Sequence, residues 1–322
     1  MKNLKKVLSL VLALAMALSL MTAAFAADAS DYKDYSKVTY KEAVDVMTAA
    51  GIFNGGDGNN FNPDANLNRE QAAKIITYML VGQEKADKLT TTVAPYADVA
   101  ATRWSAGSIA YCTNEGIIAG DGNGKFNPTD KVLGVQFAKM LLVALGYDPQ
   151  IEQLVGNSWA INTSKLALGD ADLDNGMEEI ALSAALTREQ AAQMAFNAMT
   201  ARMVDYTGGT NITTPDGTTI VVDADRYYVG HTTTTGYRMD VANDEYTQFC
   251  EQYASKLKLN KGSSDDLDRP SNEWVFENKS IGTYAQKAAV VYTADMNTDS
   301  GKKTVKNDLK NYYYGNTNDA GL

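Results

Sequence analysis

The segment Phe61 to Gln71, FNPDANLNREQ, returns 65 positions later as FNPTDKVLGVQ at 126–136. Its last part, Leu67 to Gln71, returns once more as LTREQ at 186–190, an offset of 119. Gly51-Ile52 and Gly116-Ile117 keep the first register, as do Lys74 and Lys139. A chain that repeats itself about every 55–65 residues must build its fold from copies of one small unit. Each copy holds too few apolar residues to bury a core alone, so the copies have to pack on one another.

Each unit reads as helix, turn, helix. In the second, Trp104, Ile109 and Tyr111-Cys112 give the apolar positions of a helix over Trp104 to Asn114, and Gly116 ends it. Glycine just past a helix takes the left-handed backbone without steric cost. Gly120, Gly122 and Gly124 then lead into Phe126-Asn127-Pro128, a combination that forces a compact reversal. A second helix follows, with Ala138, Met140-Leu141-Leu142 and Leu145 on its apolar face. Its start carries a capping box in two units, Asn68 with Gln71 and Thr187 with Gln190, where cap oxygen and Gln side chain exchange bonds with backbone N–H groups. Unit two has Leu133 in place of the cap.

Ahead of the repeats, Lys2, Lys5 and Lys6 precede an apolar run from Val7 to Met21, and Ala24-Phe25-Ala26 offers small residues at both positions a signal peptidase reads. Residues 1–26 are therefore expected to be a removable signal peptide, and the mature chain to have no membrane span. The full chain carries 29 basic and 39 acidic side chains; without the three leader lysines the balance is 26 against 39, or −13. Such a surface repels nucleic acid, which is excluded as a partner. Cys112 lies in an apolar helical pattern and reads as a small buried hydrophobe; Cys250 is far away in sequence, and a disulfide is not needed.

The matched elements together resemble the S-layer homology family. Its units carry an aromatic-x-Asp-Val entry, a Trp-containing helix, a Gly-Ile-Ile-x-Gly turn, a Phe-x-Pro and an Ile-Thr-Arg-Ala-Glu helix start. Unit two matches over Tyr96-Ala97-Asp98-Val99, Arg103-Trp104, Gly116 to Gly120 and Phe126-Asn127-Pro128. Unit one matches from Tyr32-Lys33-Asp34 through Gly51-Ile52 and Phe61-Asn62-Pro63 to Leu67-Asn68-Arg69-Glu70-Gln71. Unit three keeps Trp159-Ala160 and Leu186-Thr187-Arg188-Glu189-Gln190, with Gly169-Asp170-Ala171-Asp172 for its turn. The resemblance implies a mainly α fold: a pseudo-threefold helical bundle of units at 30–92, 93–149 and 150–204. It also implies attachment of an exported protein to a Gram-positive-type cell wall, by binding a secondary cell-wall polysaccharide linked to peptidoglycan, often one capped by a pyruvate ketal.

Carried over position by position, the resemblance makes Arg69 and Arg188 the motif arginines, Trp104 and Trp159 the aromatic platforms, and Asp34 and Asp98 the entry aspartates. A guanidinium at a helix start, beside free N–H groups, suits a carboxylate, and an indole suits the apolar face of a sugar. Gly134 stands where unit two should have its arginine, so equal sites in all three grooves are not expected. The plainer alternatives are surface ion pairs of Arg69 and Arg188 with Glu70 or Glu189, and core positions for the tryptophans.

No catalytic residue, metal or cofactor emerges. One histidine, His231, is too few for a zinc cage and leaves no partner set for a triad. Asp121 to Lys125 opens like a calcium loop but has Phe126 at the sixth position, and Asp170, Asp172 and Asp174 lack both the glycine and the closing glutamate. Residues 205–322 change character and are read as a linker with a small mixed α/β module displayed outward. Thr207 to Thr214 and Lys261 to Pro270 read as linkers, Asp244 to Leu259 and Lys302 to Tyr312 as helices. Thr219–Val222, Arg226–Val229, Glu273–Phe276, Ile281–Tyr284 and Ala289–Thr293 read as strands. The expected task is wall anchoring. The alternatives are an anchored surface enzyme with a carboxylate glycosidase in its tail, or a structural S-layer subunit whose tail self-assembles.

Overall fold

The computed structural model describes residues 27–177, 180–208, 211–213, 219–221, 224–230, 245–266, 268–286 and 298–303. The leader, His231, Ala289 to Thr293 and most of the expected helix at Lys302 to Tyr312 lie outside them. Two 3-10 turns, Ala29–Asp31 and Tyr35–Lys37, lead into helices α1 Lys41–Ala49, α2 Arg69–Val81 and the short α3 Gln83–Ala86. The second unit gives α4 Ala106–Asn114 and α5 Gly134–Ala144, and the third α6 Trp159–Gly169 and α7 Arg188–Thr200. After Thr200 the described residues turn to strands, with the short helix α8 Phe249–Tyr253 and helical residues again at 299–303. The described fold thus combines helices with three small antiparallel sheets.

The repeated segment does the same work each time. Gly51 and Gly116 take φ of +71° and +70° just past α1 and α4. Asn62 and Asn127, before the prolines, also sit left-handed at φ 57° and 55°, a conformation Asn tolerates best among residues with a side chain. Phe61 and Phe126, in front of them, are fully buried. Both expected capping boxes are present: Gln71 and Gln190 N–H donate to Asn68 Oδ1 and Thr187 Oγ1, and the Gln side chains accept from the cap N–H groups. At Leu133 only the return bond survives, Leu133 N–H to Gln136 Oε1 at 3.0 Å.

The three helix starts meet in a closed ring of hydrogen bonds. Leu67 N–H donates to Leu186 O, Leu186 N–H to Val132 O, and Val132 N–H to Leu67 O, each at 2.9 Å. The flanking donors run the opposite way round: Arg69 and Glu70 bond to Asp130 O and Pro128 O, Gly134 and Val135 to Ala184 O and Leu182 O, Arg188 and Glu189 to Ala65 O and Pro63 O. Free N–H groups at each helix start are therefore satisfied by the next unit's turn rather than by solvent. Leu67, Val132 and Leu186, at the centre, are at most 1% exposed.

The C-terminal region departs from expectation. Thr207 to Thr214 is no linker: β1 Val204–Gly208 pairs with β4 Ala224–Tyr228, and β2 Asn211–Thr213 with β3 Thr219–Val221. The helix expected from Asp244 to Leu259 shrinks to α8, and Leu257 opens β5 Leu257–Ser264, which takes in the first four residues of the other expected linker. β6 Pro270–Phe276 and β7 Lys279–Ala285 form the expected hairpin, turned by Glu277 and Asn278 at φ 50° and 67°, and β5 completes the sheet. Nor is this sheet displayed outward. Trp274, 2% exposed, packs its ring 5.5 Å from Phe196 of α7 and donates to Glu42 Oε1 of α1 at 2.7 Å. Phe249, Cys250 and Leu257 are fully buried in the same core. No helix among the described residues is long and apolar enough to cross a membrane.

Candidate functional site

Asp34 and Asp98 brace the turns. Asp34 accepts from Phe61 N–H and Asn62 N–H, both at 2.7 Å; Asp98 accepts from Phe126 N–H and Asn127 N–H, both at 2.8 Å. Each carboxylate thus holds a two-N–H fork at the left-handed asparagine. Partial burial would raise the Asp98 pKa, but the Phe126 and Asn127 donors outweigh it and hold it below the ordinary carboxylate value.

The arginines close the same turns from the neighbouring unit. Arg69 Nε donates to Phe126 O and Nη2 to Ala119 O, both at 2.8 Å, with the guanidinium 4.6 Å from the Phe126 ring centre. Arg188 repeats this on unit one: Nε to Phe61 O at 2.8 Å, Nη2 to Asn54 O at 2.9 Å, and 5.1 Å to the Phe61 ring. Arg69 is thereby brought to the Asp98 turn and Arg188 to the Asp34 turn. Burial lowers both arginine pKa values, against which Asp130, Tyr96, Asp98 and Asp121 act at Arg69, and Tyr32 and Asp34 at Arg188. Both stay cationic at any working pH.

The alternative pairing of Arg69 and Arg188 with Glu70 or Glu189 does not occur. Buried Glu70 takes Arg103 in a fork, Nε to Oε2 at 2.7 Å and Nη2 to Oε1 at 2.8 Å, and Ser105 Oγ at 2.6 Å. Glu189 Oε2 accepts Thr39 N–H at 2.7 Å, at the equivalent entry of unit one. These interunit contacts went unread because they join positions that neighbour each other only across repeats. The signal was there in part: a glutamate that follows each motif arginine. At the junction of units two and three Val135 replaces the glutamate, and Val135, Ala160, Ile161 and Leu182 line an apolar groove. Gly134 is tight there: a Cβ would lie 2.9 Å from Leu182 Cα, so the residue is spatially required as well as lacking a charge.

The tryptophans differ. Trp104 precedes α4 rather than sitting within it, and is 57% exposed beside Arg103, at the junction of units one and two. Trp159 is half-buried at the start of α6, with Lys139 of α5 5.7 Å from its ring. Neither belongs to the fully buried core. Among the described residues no group of three His, Cys, Asp or Glu side chains could hold a metal ion, and Asp170 is paired with Arg226.

Residues 31–73 and 95–138 match the model of the S-layer homology domain. These spans cover the first two repeats; the third lies outside them. The chain is 28% identical over 180 residues to a "Surface layer protein" of Brevibacillus choshinensis, covering 56% of this chain and 16% of that one. It is 32% identical over 149 residues to a "Cell surface protein" of Thermoanaerobacter kivui, covering 46% and 19%. A "Middle cell wall protein" of Brevibacillus brevis matches at 29% over 164 residues, covering 50% and 16%. The chain spans less than a fifth of the length of these relatives, whose names are those of surface proteins rather than enzymes. Through the Asp-braced turns and the helix starts of its first two repeats, the chain carries S-layer homology domains at residues 31–73 and 95–138, and its place is that of a secreted cell-wall or S-layer surface protein.

Proposed function

We propose that the chain anchors to the cell wall by binding a secondary cell-wall polysaccharide in grooves between units of a pseudo-threefold bundle. The ring of Leu67, Val132 and Leu186 supports that architecture, because each unit donates to one neighbour and accepts from the other. One observation carries the site: Nε and Nη2 of Arg69 and Arg188 are committed to carbonyls, while Nη1 of each has no protein acceptor among the described residues. A guanidinium fixed by two bonds and a stacked phenyl ring is preorganised for an outside carboxylate, such as that of a pyruvate ketal. Trp104 and Trp159 supply sugar platforms, and Asp34 and Asp98 position the turns. The Arg188 groove is the stronger of the two, since fewer carboxylates compete there than around Arg69.

The exported chain should sediment with sacculi that retain the accessory polymer and stay in solution with stripped sacculi. Arg188→Lys keeps the charge but loses the fork, and should weaken binding roughly tenfold, more than Arg69→Lys. Equal sedimentation with stripped and unstripped sacculi would sink the reading. A second reading, a structural subunit, rests on the names of the relatives and would show as ordered assembly that grows with protein concentration.

A further inference from the structure

Between the first repeat and the C-terminal sheet lies a cavity of about 320 Å³, lined among others by Ala27, Asp28, Tyr35, Asp45, Lys279 and Tyr284. Asp45 Oδ2 accepts from Tyr35 Oη at 2.9 Å and Tyr284 Oη at 2.6 Å, so a single carboxylate oxygen ties α1 to β7. Its other oxygen, Oδ1, is buried and has no hydrogen-bond partner. A buried acceptor left unmade is costly, and an anionic one more so. The chain start is pinned beside it. Ala29 is 2% exposed, Tyr32 N–H bonds to Ala29 O at 3.1 Å, and Asp28 Oδ1 accepts Ser30 N–H at 2.8 Å.

We propose that this cavity is an ammonium site, and that its occupant is the chain's own α-ammonium at Ala27, created when the leader is removed after Ala26. The proposal rests on that cleavage. Hydrolysis adds water across the Ala26–Ala27 bond, leaving a carboxylate on Ala26 and an amine on Ala27 that takes up a proton. In the precursor the same nitrogen is an uncharged amide with one N–H. After processing it is a cation with three donors, two residues from a buried anchor and lining the same cavity as the unpaired Asp45 oxygen. The groups around it are Asp28 from the N-terminal segment, Lys41, Glu42 and Asp45 from α1, Tyr35 before α1, and Lys279 and Tyr284 from β7. Three carboxylates, Asp28, Glu42 and Asp45, outnumber the two lysines, and with the two tyrosine rings they favour a cation there. Export processing therefore completes the junction between the first repeat and the sheet.

The test uses the exported chain, its start established by N-terminal sequencing, with ¹³C-labelled alanine followed by NMR at Ala27 against pH. A start other than Ala27 overturns the cleavage and the proposal together. With Ala27 first, the α-amino group should titrate about one unit above the ordinary 7.7–8.0. One glycine added before Ala27, or Asp45→Asn, should bring the titration back to the ordinary range. An ordinary value in the unaltered chain overturns the proposal whether or not either variant folds, and so does a raised value that both variants leave unchanged.

Discussion

Asp34 and Asp98, the entry aspartates, each hold two backbone N–H groups of the turn they brace. An entry aspartate and a Phe-Asn-Pro 27 or 28 residues on are coupled because the N–H groups of the Phe and of the left-handed Asn have no ladder partner and bond to the carboxylate. The pH dependence follows. Asp98 has a folded pKa depressed below its unfolded value, so it contributes stability above the unfolded value of about 3.9. That contribution is lost as pH falls through the lower folded value. In an acid titration the Phe126 and Asn127 amide protons should lose exchange protection together below about pH 3.9. Asp98→Asn should weaken their protection at neutral pH and flatten that acid step; an acid step unchanged in Asp98→Asn would assign it to another carboxylate. The arginines carry a related lesson. Charge and helix-start position were readable in the sequence, but the carbonyls of Phe61, Asn54, Phe126 and Ala119 were not, because backbone acceptors leave no mark in side-chain identity.

At the scale of elements, the helices of the repeats and the hairpin of the tail were legible, while the tail's linkers and its long helix were not. A repeated Gly-Ile ends α1 and α4, and a capping box opens α2 and α7, each from chemistry local to that end, so α2 starts at Arg69 and α7 at Arg188 as the caps predict. In β5 the run Leu257-Lys258-Leu259-Asn260 alternates as a strand should, but Lys261 to Ser264 is polar throughout and reads as linker. Its strand state comes from pairing with β6 rather than from propensity. Trp274 is the residue that seats this sheet. Its indole fills space against Phe196, and its N–H satisfies Glu42 Oε1, a carboxylate whose pKa burial pushes up. Trp274→Phe keeps much of the volume and removes the donor, which should cost about 1–3 kcal/mol. Trp274→Ala should cost about 3–5 kcal/mol. Hydrogen exchange should show the loss in β6 and β7 first, with α5 and α6 little changed. Uniform loss across all three repeats would mean that the sheet and repeats melt as one unit.

For the whole molecule, the repeats share a backbone scheme and differ in chemistry at their junctions. The first and third junctions are polar, closed by Glu70 on Arg103 and by Glu189 on Thr39 N–H, while the second is apolar, with Val135 against Leu182. The ring of hydrogen bonds ignores these differences because it uses backbone only. A unit taken alone loses both its ring partners and the turn that satisfies its second helix. In residues 93–149 alone, the N–H groups of Gly134 and Val135 lose Ala184 O and Leu182 O, and Val132 N–H loses Leu67 O. Buried Phe126 would lose the Arg69 guanidinium of unit one that stacks on its ring. Helices of nine and eleven residues are too short to hold themselves in water. The excised second unit should therefore show weak helical circular dichroism and no cooperative melt, while the intact chain melts cooperatively. A sharp, concentration-independent melt of residues 93–149 would show that one repeat closes its own core, and that the ring of backbone bonds is a consequence of assembly rather than its cause.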